Sequence, residues 1–158
     1  MSTPNHSSMN DATSAARKES VRLGHEYTGP EHLLLGVIRD SAGPGARVLA
    51  DLGVDPVRIT QMVTAVIRPG TSTVPDTSLP YTTRAKRSME FAAVAATYLR
   101  HDATGSDHLV AGLLAEQKSV AAQVLNDAGV TLERVLGAVA ELHGTPLPPE
   151  KWDPSGSK

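Results

Sequence analysis

Four histidines stand at matching places in two parts of the chain. His25 and His32 are seven residues apart, and His101 and His108 repeat that spacing. Imidazole is the most common metal ligand in proteins. Two histidines that bind one metal from a single helix face are usually four residues apart, as in H-E-x-x-H. A gap of seven residues across a turn does not fit that geometry. We therefore expect structural roles for these histidines and predict neither a metal site nor a cofactor.

An acidic residue directly precedes the second histidine of each pair. The segments Thr28-Gly-Pro-Glu31 and Thr104-Gly-Ser-Asp107 place a hydroxyl residue three positions before the acid. That spacing is typical of a helix N-terminus, where the hydroxyl caps the backbone and the acid lies at the positive end of the helix dipole. The residues by themselves therefore predict that Glu31 and Asp107 help to cap helices, which requires no ligand.

These matches belong to an internal duplication. Residues 23–67 align with residues 99–143 without a gap at an offset of 76 residues, and fifteen of the forty-five pairs are identical. Because two copies are too few for a solenoid, we predict one pseudo-symmetric domain built from a duplicated helical unit. The duplication also explains why the histidines recur.

The apolar spacing inside each copy is helical, and four helices are expected in each, which gives an all-α domain of eight helices. Gly53 and Gly129 each follow the last apolar residue of a helix, the usual stop signal. Gly36 and Gly112 lie within helices, where glycine costs about 1 kcal/mol against alanine, so we predict that another helix packs closely there. The predicted helices cover residues 9–23, a segment around 33–38, a segment ending at 52, and 55–67, followed by 82–100, 106–115, 119–128 and 131–143.

Composition and missing motifs exclude several functions. A net charge of −2 and an aromatic content of 3% provide neither a basic stripe for a phosphate backbone nor a stacking platform for bases. The chain has no cysteine, no G-x-x-x-x-G-K-[ST] loop for ATP phosphates and no G-x-S-x-G elbow. We therefore predict a protein that is not an enzyme and does not bind nucleic acid.

Because the start has no apolar h-region and no apolar stretch is long enough to span a membrane, a cytoplasmic location without membrane contact is expected.

The proline-rich stretches divide the chain. The segment between the copies is rich in Pro, Ser and Thr, and the end of the chain carries four prolines in its last fourteen residues, which cannot continue a helix. With the Met-Ser-Thr start, this favours a free-standing protein over an excised fragment. The expected organisation is a flexible N-terminus (1–8), a first repeat (9–67), a linker (68–80), a second repeat (81–143) and a disordered tail (144–158).

The duplicated motif resembles a known family. The segment LGHEYTGPEHLLLGVIRD, the later ARVLADLGV and their counterparts are similar to the double Clp repeat, the N-terminal domain of Clp-type AAA+ unfoldases, with the ClpC branch the most alike. The resemblance covers residues 9–143 and implies two four-helix repeats that dock substrates and adaptor proteins. The opening of the second copy adds to it with Pro80, Tyr81, Thr82, Arg84, Ala85 and Lys86.

The resemblance also implies a ligand. In similar ClpC-type domains an acid at the place of Glu31 and Asp107 contacts the guanidinium of phosphoarginine, and a T-x-R segment holds the phosphate. The second copy keeps Thr82 and Arg84 and has Asp107, one methylene shorter, as its acid. The first copy has other residues at the two T-x-R places, His6 and Ser8. The resemblance therefore implies one degraded and one altered site, beside the simpler explanation that these residues cap and pack.

A second candidate site lies where the linker enters the second copy. Leu79, Pro80, Tyr81 and Lys86 place an aromatic ring and a lysine at the junction of the halves, where ligand grooves are common. Similar domains bind hydrophobic cyclic peptide antibiotics in that region. In the alternative interpretation, Tyr81 only closes the interface between the repeats.

These observations favour a binding module. The leading hypothesis is a stand-alone bacterial Clp repeat protein that modulates Clp-dependent proteolysis by binding substrates, adaptors or components of the Clp unfoldase and protease. One alternative is a decoy that sequesters cyclic peptide antibiotics, for which replacing Tyr81 with Ala should abolish peptide binding and spare association with the unfoldase. Another is a structural accessory subunit of the protease.

Overall fold

A computed structural model describes residues 7–75 and 79–154 of the chain. These residues form an all-α fold of eight helices, which confirms the predicted class and the predicted helices to within a few residues. His6 of the first T-x-R counterpart lies outside the described residues. The helices are α1 (Ser8–Arg22), α2 (Pro30–Arg39), α3 (Pro44–Asp51), α4 (Pro56–Val66), α5 (Thr83–Tyr98), α6 (Ser106–Ala115), α7 (Val120–Asp127) and α8 (Leu132–His143).

The first two helices of each copy pack closely through the predicted glycines. A Cβ atom on Gly36 of α2 would collide with the backbone oxygen of Ala12 and lie 2.7 Å from the backbone nitrogen of Ala16 in α1. A Cβ atom on Gly112 of α6 would meet backbone atoms of α5 in the same way. The predicted close approach at both glycines is confirmed, and it sets the distance of α2 from α1 and of α6 from α5.

Helix α6 is the centre of the molecule. All of its ten residues are buried, because it packs on α5, α7 and α8 of its own copy and on α3 of the other copy. Helix α2, its counterpart, buries seven residues. Small and medium apolar side chains fill the core around these two helices, and no helix within residues 7–75 and 79–154 combines the length and the apolar character needed to cross a bilayer.

The third helix of each copy ends as predicted. Gly53 and Gly129 have φ values of +79° and +84°, a left-handed conformation that glycine adopts without a steric penalty. The turn after the first helix also uses this conformation in both copies, at Gly24 and at Arg100. The two halves therefore share their turns as well as their helices.

Within the tail predicted to be disordered (144–158), the described residues contact the second copy, and residues 155–158 lie outside the described part of the chain. Residues 145–154, here called the C-terminal strap, run without helix along the second copy. The hydroxyl of Tyr98 donates a hydrogen bond to the backbone oxygen of Glu150 at 2.7 Å, and the Tyr98 ring stacks on Trp152 with a centroid distance of 6.1 Å. Proline content excluded a helix correctly, but the aromatic pair gives the strap an apolar contact that holds it on the fold.

Candidate functional site

A short parallel bridge brings the two copies together at their candidate site residues. The backbone N–H of Thr28 donates to the oxygen of Pro80 at 2.9 Å, and the N–H of Thr82 donates to the oxygen of Thr28 at 3.0 Å. The segment before α5 therefore runs beside the segment before α2. As a result, the T-x-R residues of the second copy face the acid of the first copy.

The space between them is a pocket of about 380 Å³, here called the junction pocket. Glu31, Thr82 and Arg84 line it together. This corrects the grouping made from the repeat offset, which paired Thr82 and Arg84 with Asp107 of their own copy. The physical reason is that the segment leading into α5 pairs with the neighbouring copy, which an offset within the sequence does not reveal. The remaining lining residues are Gly29, Pro30, Thr83, Lys118, Ser119 and Val120.

The junction pocket combines positive groups with one carboxylate. Helices α2, α5 and α7 all begin at its wall, and each N-terminus carries a partial positive charge. Arg84 donates from Nη1 to the backbone oxygen of Lys118 at 2.9 Å, which ties the guanidinium to the turn before α7. Glu31 lies opposite with its side chain 13% exposed. The pocket therefore suits a ligand that has both a cationic and an anionic group.

The neighbour of Glu31 does not neutralise its charge. His32 Nδ1 lies 4.0 Å from Glu31 Oε2, but burial and the nearby His25 lower the pKa of His32 to about 4. The imidazole is therefore neutral at physiological pH. Burial and the Glu31 charge also raise the pKa of Tyr27, which keeps that phenol protonated beside the carboxylate.

The predicted caps of α2 and α6 are wrong by one residue. The N-cap residues are Gly29 and Gly105 instead of Thr28 and Thr104, and the residue that completes each capping box is a histidine. The Gly29 N–H donates to His32 Nδ1 at 2.9 Å, and the second copy repeats this bond. With Gly29 and Gly105 as the N-caps, Glu31 and Asp107 occupy the second helical position in place of the expected third. Each of these acids lines one of the two pockets.

The histidine pairs continue from these caps as chains of hydrogen bonds. In the first copy His32 Nε2 lies 2.7 Å from His25 Nδ1, and His25 Nε2 lies 2.6 Å from the backbone oxygen of Arg68. Since the carbonyl only accepts, the network assigns a proton to Nε2 of both rings. In the second copy the corresponding distance between His108 and His101 is 2.9 Å. Both pairs connect a helix start to the turn before it.

The pseudo-symmetric counterpart of the junction pocket, here called the second pocket, has a different chemistry. It has a volume of about 540 Å³ and is lined by Ser7, Ser8 and Asp107 among others. Ser8 replaces Arg84, and its Oγ already accepts the N–H of Ser106 at 2.9 Å. Asp107 replaces Glu31 and is bonded through Oδ2 to His143 Nε2 at 2.7 Å. The Ser8 hydroxyl and the Asp107 carboxylate are therefore both partnered within the chain.

Asp107 is held ionised by those partners. Burial raises the pKa of its carboxyl group, but hydrogen bonds and charges from His108 and His143 outweigh the burial and lower the pKa to about 2. The side chain is only 2% exposed. A guanidinium that approached Asp107 would have to displace His143.

Comparison with known proteins identifies the family. The model of the Clp repeat (R) N-terminal domain matches residues 6–128 and 92–151. The chain belongs to this family. The chaperone protein ClpB of Oceanobacillus iheyensis is 38% identical over 130 residues, which cover 82% of this chain and 16% of that protein. The ClpC/MecB negative regulator of genetic competence of Bacillus subtilis is 37% identical over 130 residues with the same coverage.

This Clp repeat chain spans about 16% of the length of those curated relatives. The crystal structure of the N-terminal domain of ClpD from Arabidopsis thaliana superposes with a TM-score of 0.70 and 20% identity, covering 88% of this chain and 94% of that domain. The N-domain of ClpV from Vibrio cholerae superposes with a TM-score of 0.67 at 15% identity. At these identities the superpositions support the Clp repeat fold alone.

Two of the four residues of the predicted peptide groove take part in packing in this Clp repeat chain. Leu79 is 5% exposed, and the guanidinium carbon of Arg17 lies 4.6 Å from the centre of the Tyr81 ring. Pro80 and Lys86 are exposed. Tyr81 therefore closes the interface between the repeats on one face, and the peptide groove stays a prediction.

Sequence reasoning missed two contributors. Lys118 joins the junction pocket from the turn before α7, and nothing in its spacing indicates this. His143 joins His101 and His108 at the end of α8, where the first copy has Ile67. The signal for His143 is a difference between the copies: an imidazole stands where the first copy has an apolar side chain.

Proposed function

We propose that this Clp repeat protein is a non-catalytic binding module that modulates Clp-dependent proteolysis by binding substrate proteins, adaptors or components of the Clp machinery. We further propose that it recognises phosphoarginine side chains in the junction pocket. The observation that supports this is the meeting of Glu31, Thr82 and Arg84 in one pocket.

The chemistry of these residues fits a phosphorylated guanidinium. A carboxylate such as Glu31 can accept two parallel hydrogen bonds from the guanidinium plane. Arg84 and the N-termini of α2, α5 and α7 provide positive charge and N–H donors for a phosphate. Thr82 accepts the Ala85 N–H through Oγ1 at 3.1 Å, and its hydroxyl proton remains able to donate to a phosphate oxygen.

The second pocket supports this assignment by contrast. Its acid, Asp107, is paired with His143, and its counterpart of Arg84 is Ser8, whose oxygen is hydrogen-bonded to Ser106. With a serine at the place of Arg84 and with its carboxylate occupied, that pocket offers less to a phosphoarginine, and its lining Arg47 is already paired with Asp51. We therefore expect one phosphoarginine site per chain.

A calorimetric titration with phosphoarginine tests the ligand, with arginine and inorganic phosphate as separate comparison ligands. Glu31→Gln and Arg84→Gln each remove one charged partner. Hydrogen bonds to charged groups contribute about 1.5–3 kcal/mol, so each variant should weaken binding by about tenfold to a hundredfold. Arg47→Ala is the matched control, because Arg47 lines the second pocket and forms an exposed ion pair with Asp51 at 3.2 Å.

The wider role is tested with an arginine-phosphorylated protein. We expect the chain to retain this protein in a pull-down and to change its rate of degradation by a Clp unfoldase and protease, and Glu31→Gln should lose both effects. Equal retention of the unphosphorylated protein would refute phosphoarginine recognition. An unchanged degradation rate despite binding would refute the role in Clp-dependent proteolysis.

A further inference from the structure

Three imidazoles meet at the ends of three helices in the second copy. His101 follows α5, His108 lies in the first turn of α6, and His143 is the last residue of α8. One ring nitrogen of each lies within 4.8 Å of the others. The rings of His101 and His143 are stacked with a centroid distance of 3.9 Å. We call these three residues the histidine cluster.

We propose that the histidine cluster binds a divalent transition metal ion, with Zn²⁺ as the principal candidate. Imidazole nitrogens suit zinc, copper and nickel. At zinc–nitrogen distances of about 2.0–2.1 Å, tetrahedral ligand atoms are about 3.3 Å apart, which is close to the spacing of these ring nitrogens. The stacked rings of His101 and His143 must turn relative to each other on binding, so that both direct a nitrogen lone pair to the same point. The metal is independent of the phosphoarginine site, which lies in the other pocket.

Neighbouring groups already orient the three rings. His101 Nε2 lies 2.9 Å from Thr145 Oγ1, so Nδ1 of that ring is directed to the cluster. Asp107 contacts the other two, with Oδ2 at 2.7 Å from His143 Nε2 and Oδ1 at 3.3 Å from His108 Nδ1. A buried carboxylate behind metal-binding histidines fixes their orientation and raises their basicity. Its negative charge also offsets part of the charge of the ion.

The second pocket gives the ion an entry path. His108 and His143 both line this cavity of about 540 Å³, and the His143 side chain is 35% exposed. A fourth coordination position can therefore be filled by water from the cavity, as in zinc sites with three protein ligands.

The first copy shows that the cluster is more than a consequence of the duplication. It has the same paired imidazoles, with His25 and His32 at 2.7 Å. The place of His143 is taken by Ile67, and the acid Glu31 is 4.0 Å from His32 Nδ1. The duplication therefore accounts for two imidazoles in each copy, and only the second copy adds a third imidazole and a close carboxylate.

Binding requires one change of proton position. In the hydrogen-bond network His108 Nδ1 accepts the Gly105 N–H at 2.9 Å, which leaves the proton on Nε2. A metal on Nε2 requires the proton on Nδ1, where Asp107 Oδ1 can accept it. The lost backbone bond lowers the affinity, so we expect weaker binding than at a preformed structural zinc site.

The test uses the untagged, chelator-treated chain. Calorimetry with Zn²⁺, and with Ni²⁺ and Cu²⁺ in parallel, should give one ion per chain. His143→Ile, which introduces the residue of the first copy, should lower the affinity by at least about tenfold. His25→Gln alters the first-copy pair only and should leave zinc affinity unchanged, with circular dichroism to show that both variants are folded.

Histidine ring NMR on the parent chain gives a second measurement that needs no variant. Zinc should shift the ring resonances of His101, His108 and His143 and leave those of His25 and His32 in place. The proposal is overturned if no metal binds at millimolar concentration, if His143→Ile binds as tightly as the parent, or if the shifts fall on the first-copy pair.

Discussion

Replacing the helix-contact glycines with alanine tests how tightly the repeat fixes its pockets. At Gly36 the added Cβ would collide with the Ala12 oxygen and lie 2.7 Å from the Ala16 nitrogen, and at Gly112 it would lie 2.8 Å from the Ala92 nitrogen. These neighbours include backbone atoms, which cannot rotate aside as a side chain can. The helix pair must therefore separate to admit the methyl group.

The size of the effect follows from two opposing terms. Alanine in a helix is favoured over glycine by about 1 kcal/mol, and overpacking against atoms that cannot move costs about 3 kcal/mol, the upper end of its usual range. Gly36→Ala should therefore lower the free energy of unfolding by about 2 kcal/mol. Gly137 in α8 is the matched control because, apart from its own helix backbone and chain neighbours, no atom of the described residues lies within 4 Å of its added Cβ. Gly137→Ala should therefore raise the free energy of unfolding by about 1 kcal/mol.

Urea and thermal unfolding measure the difference. The two variants should differ by about 3 kcal/mol, which corresponds to about 6–12 °C in Tm for a chain of this size. Gly112→Ala should behave like Gly36→Ala. If Gly36→Ala were as stable as Gly137→Ala, the close approach of α1 and α2 would not constrain the fold, and this reasoning would be refuted.

Two further predictions concern pH and the C-terminal strap. Burial lowers the pKa of His32 from 6.5 to about 4. Between pH 6.5 and pH 4, the unfolded chain therefore binds a proton at His32 that the folded chain does not bind. The contribution of His32 to the free energy of unfolding should therefore stay level above pH 6.5 and fall by about 3 kcal/mol toward pH 4, which the difference between the parent and His32→Gln across this range measures. A His32 ring that titrates near 6.5 by NMR would contradict this. In the strap, Tyr98→Ala should release Trp152, the only tryptophan, shift its fluorescence to longer wavelength and lower stability by about 1 kcal/mol. Tyr27→Ala, an exposed tyrosine in the first copy, should leave that emission unchanged.

The helices could be predicted because their signals are local and occur twice. An apolar pattern that is weak in one copy is supported by its counterpart at the 76-residue offset, and Gly53 and Gly129 mark the same helix end. The caps were displaced for a related reason. Thr28 has the expected residue type, but the cap lies one residue later, where the His32 imidazole accepts the Gly29 N–H in the role expected of the acid. Spacing alone does not decide between the two.

The composition of the junction pocket depends on tertiary pairing and could not be predicted in this way. Whether Glu31 or Asp107 faces Arg84 is decided by the bridge between Thr28 and Tyr81, which joins residues far apart in sequence. The C-terminal strap is similar, since proline content reports on helix formation and says nothing about the contact of Trp152 with Tyr98. Local patterns thus determine the elements, while contacts between the copies determine which side chains share a pocket.

The two pockets show how a duplicated unit can acquire two chemistries from few substitutions. In the junction pocket, Arg84 and the Glu31 carboxylate line one cavity, and the imidazole next to that carboxylate is neutral. In the second pocket, Ser8 stands at the place of Arg84, and His143 pairs with the carboxylate. A carboxylate that orients two imidazoles has little capacity left for a guanidinium, so the same position cannot serve both ligands well. Phosphoarginine and zinc should therefore bind without competing, and saturation with either should leave the calorimetric affinity for the other unchanged.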